Sequence, residues 1–160
     1  MSLSKSKISH ANLGELPDGS NFKFAIVVSQ WNKSITEKLF QGCYDVLLEN
    51  NVSSKNILRI DVPGSFELIY GSKKAQEQGV NVVISIGSII KGETKHFDFI
   101  CNAVSQGIKD LNINSNVPVI FCVLTDNRFD QAEARSGGKH GNRGFDAAVA
   151  ALKMASIAKL

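Results

Sequence analysis

The chain has 160 residues, 43% of them hydrophobic and 21% charged, and its formal net charge at pH 7 is +3. This length and composition fit one compact domain built around a single core. Because lysine and arginine alternate with acidic residues along most of the chain, no extended basic surface is visible, and we expect no nucleic-acid partner.

Residues 1–21 are polar and rich in Ser, Gly and Asn, so we expect a flexible N-terminal arm followed by a single domain at 22–160. The arm lacks the apolar segment of a secretory signal, and nothing in the chain approaches the ~18 consecutive apolar residues of a membrane span. The three cysteines, Cys43, Cys101 and Cys122, are widely spaced in apolar or helical segments, which favours reduced thiols that fill the core. These features predict a cytoplasmic protein that does not associate with membranes.

Apolar strand-like segments alternate with helix-like segments from residue 22 onward. The predicted strands are 22–29, 56–62, 80–90 and 117–125, and the predicted helices are 34–51, 66–79, 96–111 and a closing helical stretch after residue 125. Almost wholly apolar strands that alternate with helices are typical of a mostly parallel sheet covered on both faces. In such sheets ligands bind beyond the carboxyl ends of the strands, so the four strand-to-helix turns are the places to examine.

The first turn, SQWNKSIT at 29–36, contains the only tryptophan of the chain. Trp31, with Asn32 beside it, is well placed to stack on a planar ligand. A buried structural anchor fits the same position equally well, and the sequence leaves both interpretations open.

The second turn, DVPGSFEL at 61–68, joins a Pro-Gly turn to the start of a helix. Ser65 is expected to cap this helix and Glu67 to lie in its first turn, which is sound structural chemistry without any ligand. The same backbone amides and Glu67 could also hydrogen-bond a polyhydroxylated chain, so a binding role remains an alternative.

The third turn places Gly92, Glu93, Thr94, Lys95 and His96 between a strand and a helix. Backbone amides at the start of a helix favour a phosphate, and Gly92 allows the backbone to approach one closely. A histidine in the first helical turn is neither a core residue nor a favoured cap, and an imidazole can give and take protons near neutral pH. His96 is therefore a candidate catalytic residue, with an ordinary surface histidine as the alternative.

The fourth turn, TDNRFDQAEARSGGKHGNRG at 125–144, interleaves glycines with basic side chains that include Arg135 and Arg143. A solvated loop is the usual explanation of such a cluster, but arginine also grips small anions in bidentate fashion. Motifs for dinucleotides, nucleoside triphosphates, zinc and aspartyl phosphorylation are absent, which excludes those classes of site.

The four turns, SQWNKSIT, VPGSFEL, KGETKHFDFI and VPVIFCVLTDNRFDQAEARSGGKHGNRG, resemble in this order those of the 6,7-dimethyl-8-ribityllumazine synthase family of riboflavin biosynthesis. The resemblance runs from about residue 22 to the C-terminus. It implies a flavodoxin-like three-layer αβα sandwich with a central, mostly parallel four-stranded sheet. It also implies a homo-pentamer, with an icosahedral shell of pentamers as a larger assembly, in which each active site lies between neighbouring subunits.

The implied activity is that of a transferase that condenses 5-amino-6-(D-ribitylamino)uracil with 3,4-dihydroxy-2-butanone 4-phosphate, without a metal or redox cofactor. Carried over residue by residue, the resemblance assigns contacts with the pyrimidine substrate to Trp31, Ser65, Phe66, Glu67, the backbone of Ser88, Ile89 and Ile90, and Phe121 of the adjoining subunit.

The resemblance assigns the phosphate of the second substrate to Glu93, Thr94 and Arg135, and proton transfer to His96. Arg143 and Asp146 match a supporting basic and acidic pair. Glu93 stands where a small residue is usual, so its carboxylate must turn away and its backbone amide must do the binding.

Two other classes of function stay open from the sequence. A flavin-binding carrier with the same pocket would bind riboflavin or lumazine without forming product, and a structural shell protein would assemble without binding either. Formation of lumazine, followed by its absorbance, separates the three classes.

Overall fold

The structure is a computed structural model that describes residues 15–160. Within these residues, the central sheet has four parallel strands in the order β2-β1-β3-β4, namely β1 (Phe24–Ser29), β2 (Ile57–Val62), β3 (Val82–Ile90) and β4 (Val119–Asp126). The helices are α1 (Lys33–Glu49), α2 (Leu68–Gln76), α3 (His96–Asn114), α4 (Phe129–Arg135) and α5 (Arg143–Ile157). A 3-10 turn at Ser54–Asn56 precedes β2, and a short antiparallel pair, β5 (Ser136–Gly138) and β6 (Gly141–Asn142), separates α4 from α5.

Both faces of the central strands β1 and β3 are buried, and because successive side chains of a strand point to opposite faces, the two faces form separate cores. In β1, Phe24, Ile26 and Val28 belong to a core shared with α1 and α5. Ala25 and Val27 belong to a second core shared with α2 and α3. The predicted three-layer αβα sandwich with a parallel four-stranded sheet is confirmed.

The fourth predicted turn, 125–144, is where the predicted elements and the structure differ most. It contains the helix α4 and the β5–β6 pair, in which Gly137 and Gly141 have φ angles of 114° and 76°. These backbone conformations are accessible to glycine and incompatible with a continuous right-handed helix, so the pair separates α4 from α5. The closing helix is present as α5, and α4 was not predicted.

Most of the predicted N-terminal arm, residues 1–14, lies outside the described residues. Leu16 packs against the core on the α1 and α5 side, and the N–H of Gly19 donates a hydrogen bond to the carbonyl oxygen of Asn50 at 2.8 Å. The domain boundary at residue 22 stays a prediction.

The cysteines are free thiols, with Cys43 and Cys122 buried and Cys101 partly buried. The prediction of reduced cysteines is therefore confirmed, although Cys101 fills the core only in part. None of the helices described in residues 15–160 is long and apolar enough to cross a membrane.

Gly144 lies where α5 packs against α1, so adding a side chain there should destabilise the fold. A Cβ atom added there would lie 1.9 Å from the carbonyl oxygen of Leu39, so the two helices would have to separate. We expect Gly144→Ala to lower the free energy of unfolding by about 1–3 kcal/mol, the usual range for overpacking. Urea unfolding measures this, and Gly92→Ala is the control because nothing lies within 4 Å of its added Cβ. Equal stability of Gly144→Ala and Gly92→Ala would contradict the packing.

Candidate functional site

A cavity of about 450 Å³ opens where the carboxyl ends of β1 and β3 meet the N-terminal ends of α2 and α3. We call it the β1–β3 cavity. The predicted site residues that line it are Trp31, Ser65, Phe66, Glu67, Ser88, Ile89, Ile90, Thr94 and His96. Because parallel strands end at the same edge of a sheet, turns that are distant in sequence meet in this one cavity.

Trp31 is at the surface of this cavity, with 71% of its area exposed. The interpretation of Trp31 as a buried anchor is therefore wrong for this chain. Its neighbour Asn32 adopts the left-handed conformation, with φ 55° and ψ 47°, which asparagine tolerates better than most residues. The side-chain amide of Asn32 donates a hydrogen bond to the carbonyl oxygen of Ser88 at 2.9 Å. This bond fixes the turn after β1 to the end of β3 and so positions the indole at the mouth of the cavity.

Ser65 does not cap α2, contrary to the prediction. The helix begins at Leu68, its N-cap is Glu67, and no side chain forms a cap hydrogen bond. The backbone carbonyl of Ser65, rather than its hydroxyl, accepts from the N–H of Leu68 at 3.2 Å. The hydroxyls of Ser65 and Ser88 are both buried and have no hydrogen-bond partner among the described residues. Buried polar groups of this kind are usually satisfied, so these two hydroxyls are exceptions among the residues that line the cavity.

His96 is the first residue of α3, as predicted, and its side chain is exposed at the cavity. Its backbone N–H donates to the hydroxyl of Thr94 at 3.3 Å, which holds the third turn in place. Glu93 is exposed and lines neither this cavity nor the one described next. Sequence reasoning missed two apolar residues of α3 that line this cavity, Phe97 directly after His96 and Ile100 one helical turn further.

A second cavity, of about 400 Å³, lies beside β4, an edge strand of the sheet, and is closed by α5. We call it the β4 cavity. The remaining predicted site residues line it, namely Phe121, Arg135, Arg143 and Asp146. Among the described residues, none lines both cavities. Thr94 and Arg135, which were predicted to share a phosphate, therefore lie in different cavities of the same chain.

Paired charges dominate the β4 cavity. The Arg143 side chain donates to Asp146 through Nη1 and Oδ2 at 3.1 Å, so the predicted basic and acidic pair is present. Arg135 donates through Nη1 to the carbonyl oxygen of Gln131 at 3.1 Å, and the same nitrogen lies 3.6 Å from Oδ1 of Asp126. These contacts all involve Nη1, so the edge of Arg135 formed by Nε and Nη2 is available to an anion.

Two further residues of the β4 cavity were missed by sequence reasoning. Asp126 ends β4 and is 8% exposed, and burial raises the pKa of its carboxyl group while Arg135 lowers it in part. Burial raises the pKa of the Cys122 thiol to about 12, so this thiol is neutral at physiological pH. The signal for Asp126 was an acidic residue directly after a buried strand. Within residues 15–160, no group of three or more His, Cys, Asp or Glu side chains is placed to hold a metal ion.

Comparison with known proteins gives consistent matches along nearly the whole chain. A family model described as 6,7-dimethyl-8-ribityllumazine synthase matches residues 21–159. Curated relatives with this name include proteins from Christiangramia forsetii, 53% identical over 99% of this chain and 96% of the relative, and Flavobacterium johnsoniae, 53% identical over 98% and 83%. A protein of the same name from Parabacteroides distasonis is 41% identical over 98% of this chain and 99% of its own length.

The geometry of the first turn predicts that Asn32 stabilises the β1–β3 cavity. Asn32→Ala should lower the free energy of unfolding by about 1–2 kcal/mol, because it removes the hydrogen bond to Ser88 and places alanine in a left-handed conformation. Asn32→Gly should lose less, since glycine adopts this backbone freely. Urea unfolding followed by the emission of Trp31 measures both. A more stable Ala variant than Gly variant would contradict the observed conformation.

Proposed function

Because the chain belongs to the 6,7-dimethyl-8-ribityllumazine synthase family, we propose that it condenses 5-amino-6-(D-ribitylamino)uracil with 3,4-dihydroxy-2-butanone 4-phosphate. The products are 6,7-dimethyl-8-ribityllumazine, inorganic phosphate and two waters. The observation that carries this proposal is the presence of two complementary cavities. One offers an aromatic face, hydroxyls and a histidine, and the other offers arginines suited to an anion.

In this proposal the β1–β3 cavity binds the pyrimidine substrate. The exposed indole of Trp31 stacks on the pyrimidine ring, an arrangement that aromatic faces favour. The ribityl chain receives hydrogen bonds from the turn that contains Ser65, Phe66 and Glu67, because all three residues line this cavity.

The β4 cavity binds the phosphate of the second substrate in this proposal. The Nε and Nη2 edge of Arg135 forms a bidentate pair with phosphate oxygens, the strongest arrangement for arginine. Arg143, held by Asp146, adds a second guanidinium at the cavity wall. At the β1–β3 side, the backbone amides of Glu93 and Thr94 face the same phosphate from the start of α3.

The active site is completed by a neighbouring subunit. The β1–β3 cavity of one subunit meets the β4 cavity of the next, so that Phe121, Arg135, Arg143 and Asp146 come from the neighbour. Large apolar side chains that are exposed in the single chain, among them Trp31, Phe66, Tyr70, Phe99 and Phe121, support such an interface. We propose a cytoplasmic homo-pentamer, with an icosahedral shell of pentamers as its larger assembly.

His96 moves protons during the reaction. Imine formation, elimination of phosphate and ring closure each require proton transfer, and one imidazole near neutral pH serves them in sequence. A positioned general acid–base group contributes about 10²–10⁴-fold in rate, whereas holding two substrates together contributes more. His96 therefore assists a reaction that depends chiefly on the meeting of the two cavities.

An assay of lumazine absorbance with both substrates tests the proposed activity. Product formation that depends on both substrates supports it. A carrier would bind riboflavin or lumazine without producing absorbance change, and a shell protein would assemble without binding either, so both outcomes would contradict the proposal.

His96→Gln should lower kcat by about two orders of magnitude while leaving assembly and riboflavin binding nearly unchanged, because it removes only the group that transfers protons. Stopped-flow absorbance measures the rate, and sedimentation measures assembly. His140→Gln is the matched control, since His140 lines neither cavity. Unaltered turnover of His96→Gln would remove this histidine from the mechanism.

Arg135→Ala should raise the KM for the butanone phosphate about 10–100-fold, with little change in the KM for the pyrimidine, since a phosphate loses its charge-assisted partner. Steady-state kinetics with each substrate varied in turn measures this. Arg128→Ala is the control, because Arg128 is an exposed arginine paired with Asp130 outside both cavities. Equal effects on the two substrates would assign Arg135 a structural role instead.

A further inference from the structure

Asp126 is a buried carboxylate at the wall of the β4 cavity whose charge is only partly compensated. Its Oδ1 lies 3.6 Å from Nη1 of Arg135, which is longer than a hydrogen bond. Its Oδ2 is buried and has no hydrogen-bond partner among the described residues. A carboxylate that served only to stabilise the fold would be expected to have donors on both oxygens.

The charged side chains that line the β4 cavity sum to zero when the carboxylate of Asp126 is ionised. The groups that line the β4 cavity with it are Arg135 from α4 and Arg143 and Asp146 from α5. Asp146 is hydrogen-bonded by Arg143. At the end of β3, the backbone N–H of Lys91 donates to the backbone carbonyl of Asp126 at 3.0 Å, and its side chain is exposed. Two guanidinium groups thus face two carboxylates, and an anion on the Nε and Nη2 edge of Arg135 would be repelled by ionised Asp126.

We propose that ionised Asp126 opposes the binding of an anion at Arg135, so that anion binding in the β4 cavity favours uptake of a proton from solvent by Asp126. The neutral carboxyl group then no longer repels the anion held by Arg135. When the anion leaves, the proton returns to solvent. This inference rests on the proposed function only in taking the β4 cavity as the anion site.

This role has a consequence for the phosphate substrate and product. At a pH where Asp126 is ionised, its negative charge weakens the hold of Arg135 on inorganic phosphate and so favours product release. A carboxylate a few ångströms from a dianion, at the effective dielectric constant of a partly buried site, weakens binding by about tenfold or more. The burial that raises the pKa of Asp126 supports the same role.

Sulfate is the probe for the test, because its charge stays constant between about pH 5.5 and 8, whereas phosphate itself titrates in this range. Isothermal calorimetry with the full-length assembled protein should show sulfate binding about tenfold tighter at the lower pH, and proton uptake revealed by buffers of different ionisation enthalpy. Asp126→Asn, which mimics the neutral carboxyl group, should bind sulfate about tenfold tighter than the wild type at pH ~8 and take up fewer protons. His96 is present in both proteins, so any contribution it makes cancels in the comparison.

The matched control is Asp130→Asn, which removes an exposed carboxylate of α4 that does not line the β4 cavity and should leave sulfate affinity unchanged. Arg135→Ala should abolish sulfate binding. Thermal unfolding of Asp126→Asn at pH ~8 should show a Tm equal to or above that of the wild type, because the fold gains little from the ionised group, whereas a purely structural Asp126 would lower it.

The proposal would be overturned if Asp126→Asn bound sulfate no more tightly than the wild type at pH ~8. It would also be overturned if this variant took up as many protons on binding as the wild type does. If this variant failed to fold, the wild-type calorimetry alone would decide, since sulfate binding without proton uptake, or no binding at the lower pH, contradicts the proposal. The lumazine assay is independent. A wild type that binds sulfate as expected but forms no lumazine would contradict the proposed function alone.

Discussion

The parallel alignment of β1, β3 and β4 determines where the residues of the candidate site lie. Register pairs such as Val28 with Ile86, and Ile90 with Asp126, bring the carboxyl ends of the three strands to one edge of the sheet. Polar side chains can lie at this edge because the strands end there and the helices begin, whereas the rest of the sheet is covered by apolar side chains on both faces. The turns that carry Trp31 and His96 can meet only because of this arrangement.

The position of β4 at the border of the sheet divides the site in two. The end of β3, a central strand, lines the β1–β3 cavity together with the turns after β1 and β2. β4 has a neighbour on one side only, and its free side, with α4 and α5, forms the β4 cavity. Each chain therefore has two separate cavities, which we propose are two half-sites. In our proposal a closed ring of subunits joins each half to its complement, which couples catalysis to assembly.

The sequence predicted the elements of the sheet well because their signal is local. Apolar runs bounded by polar turns define β1 to β4, and helical spacing defines α1 and α3, whose start at His96 was predicted to the residue. The Ser65 cap was wrong, and the short helix α4 inside the fourth turn was missed, because helix ends and glycine turns depend on tertiary contacts and on φ angles that sequence patterns indicate only weakly.

The grouping of site residues was less predictable from sequence than their identities. The sequence left two interpretations of Trp31 open, and only its exposure in the structure separates them. The role inferred for Asp126 depends on its distance to Arg135 and on its buried Oδ2, which has no hydrogen-bond partner among the described residues. The resemblance assigned Thr94 and Arg135 to one phosphate, but no local pattern shows that they lie in different cavities of a chain. Such relations are set by packing between distant segments and require coordinates.

We propose that one active site draws its halves from two subunits, and mixing of subunits tests this arrangement. The His96→Gln variant is altered only in the β1–β3 cavity and the Arg135→Ala variant only in the β4 cavity. If the two are denatured together in equal amounts and reassembled, about a quarter of composite sites receive two intact halves, because each site draws them independently. Activity at low butanone phosphate should then rise towards about a quarter of the wild-type value, well above either variant alone. Activity that stays at the average of the two variants would contradict a shared active site.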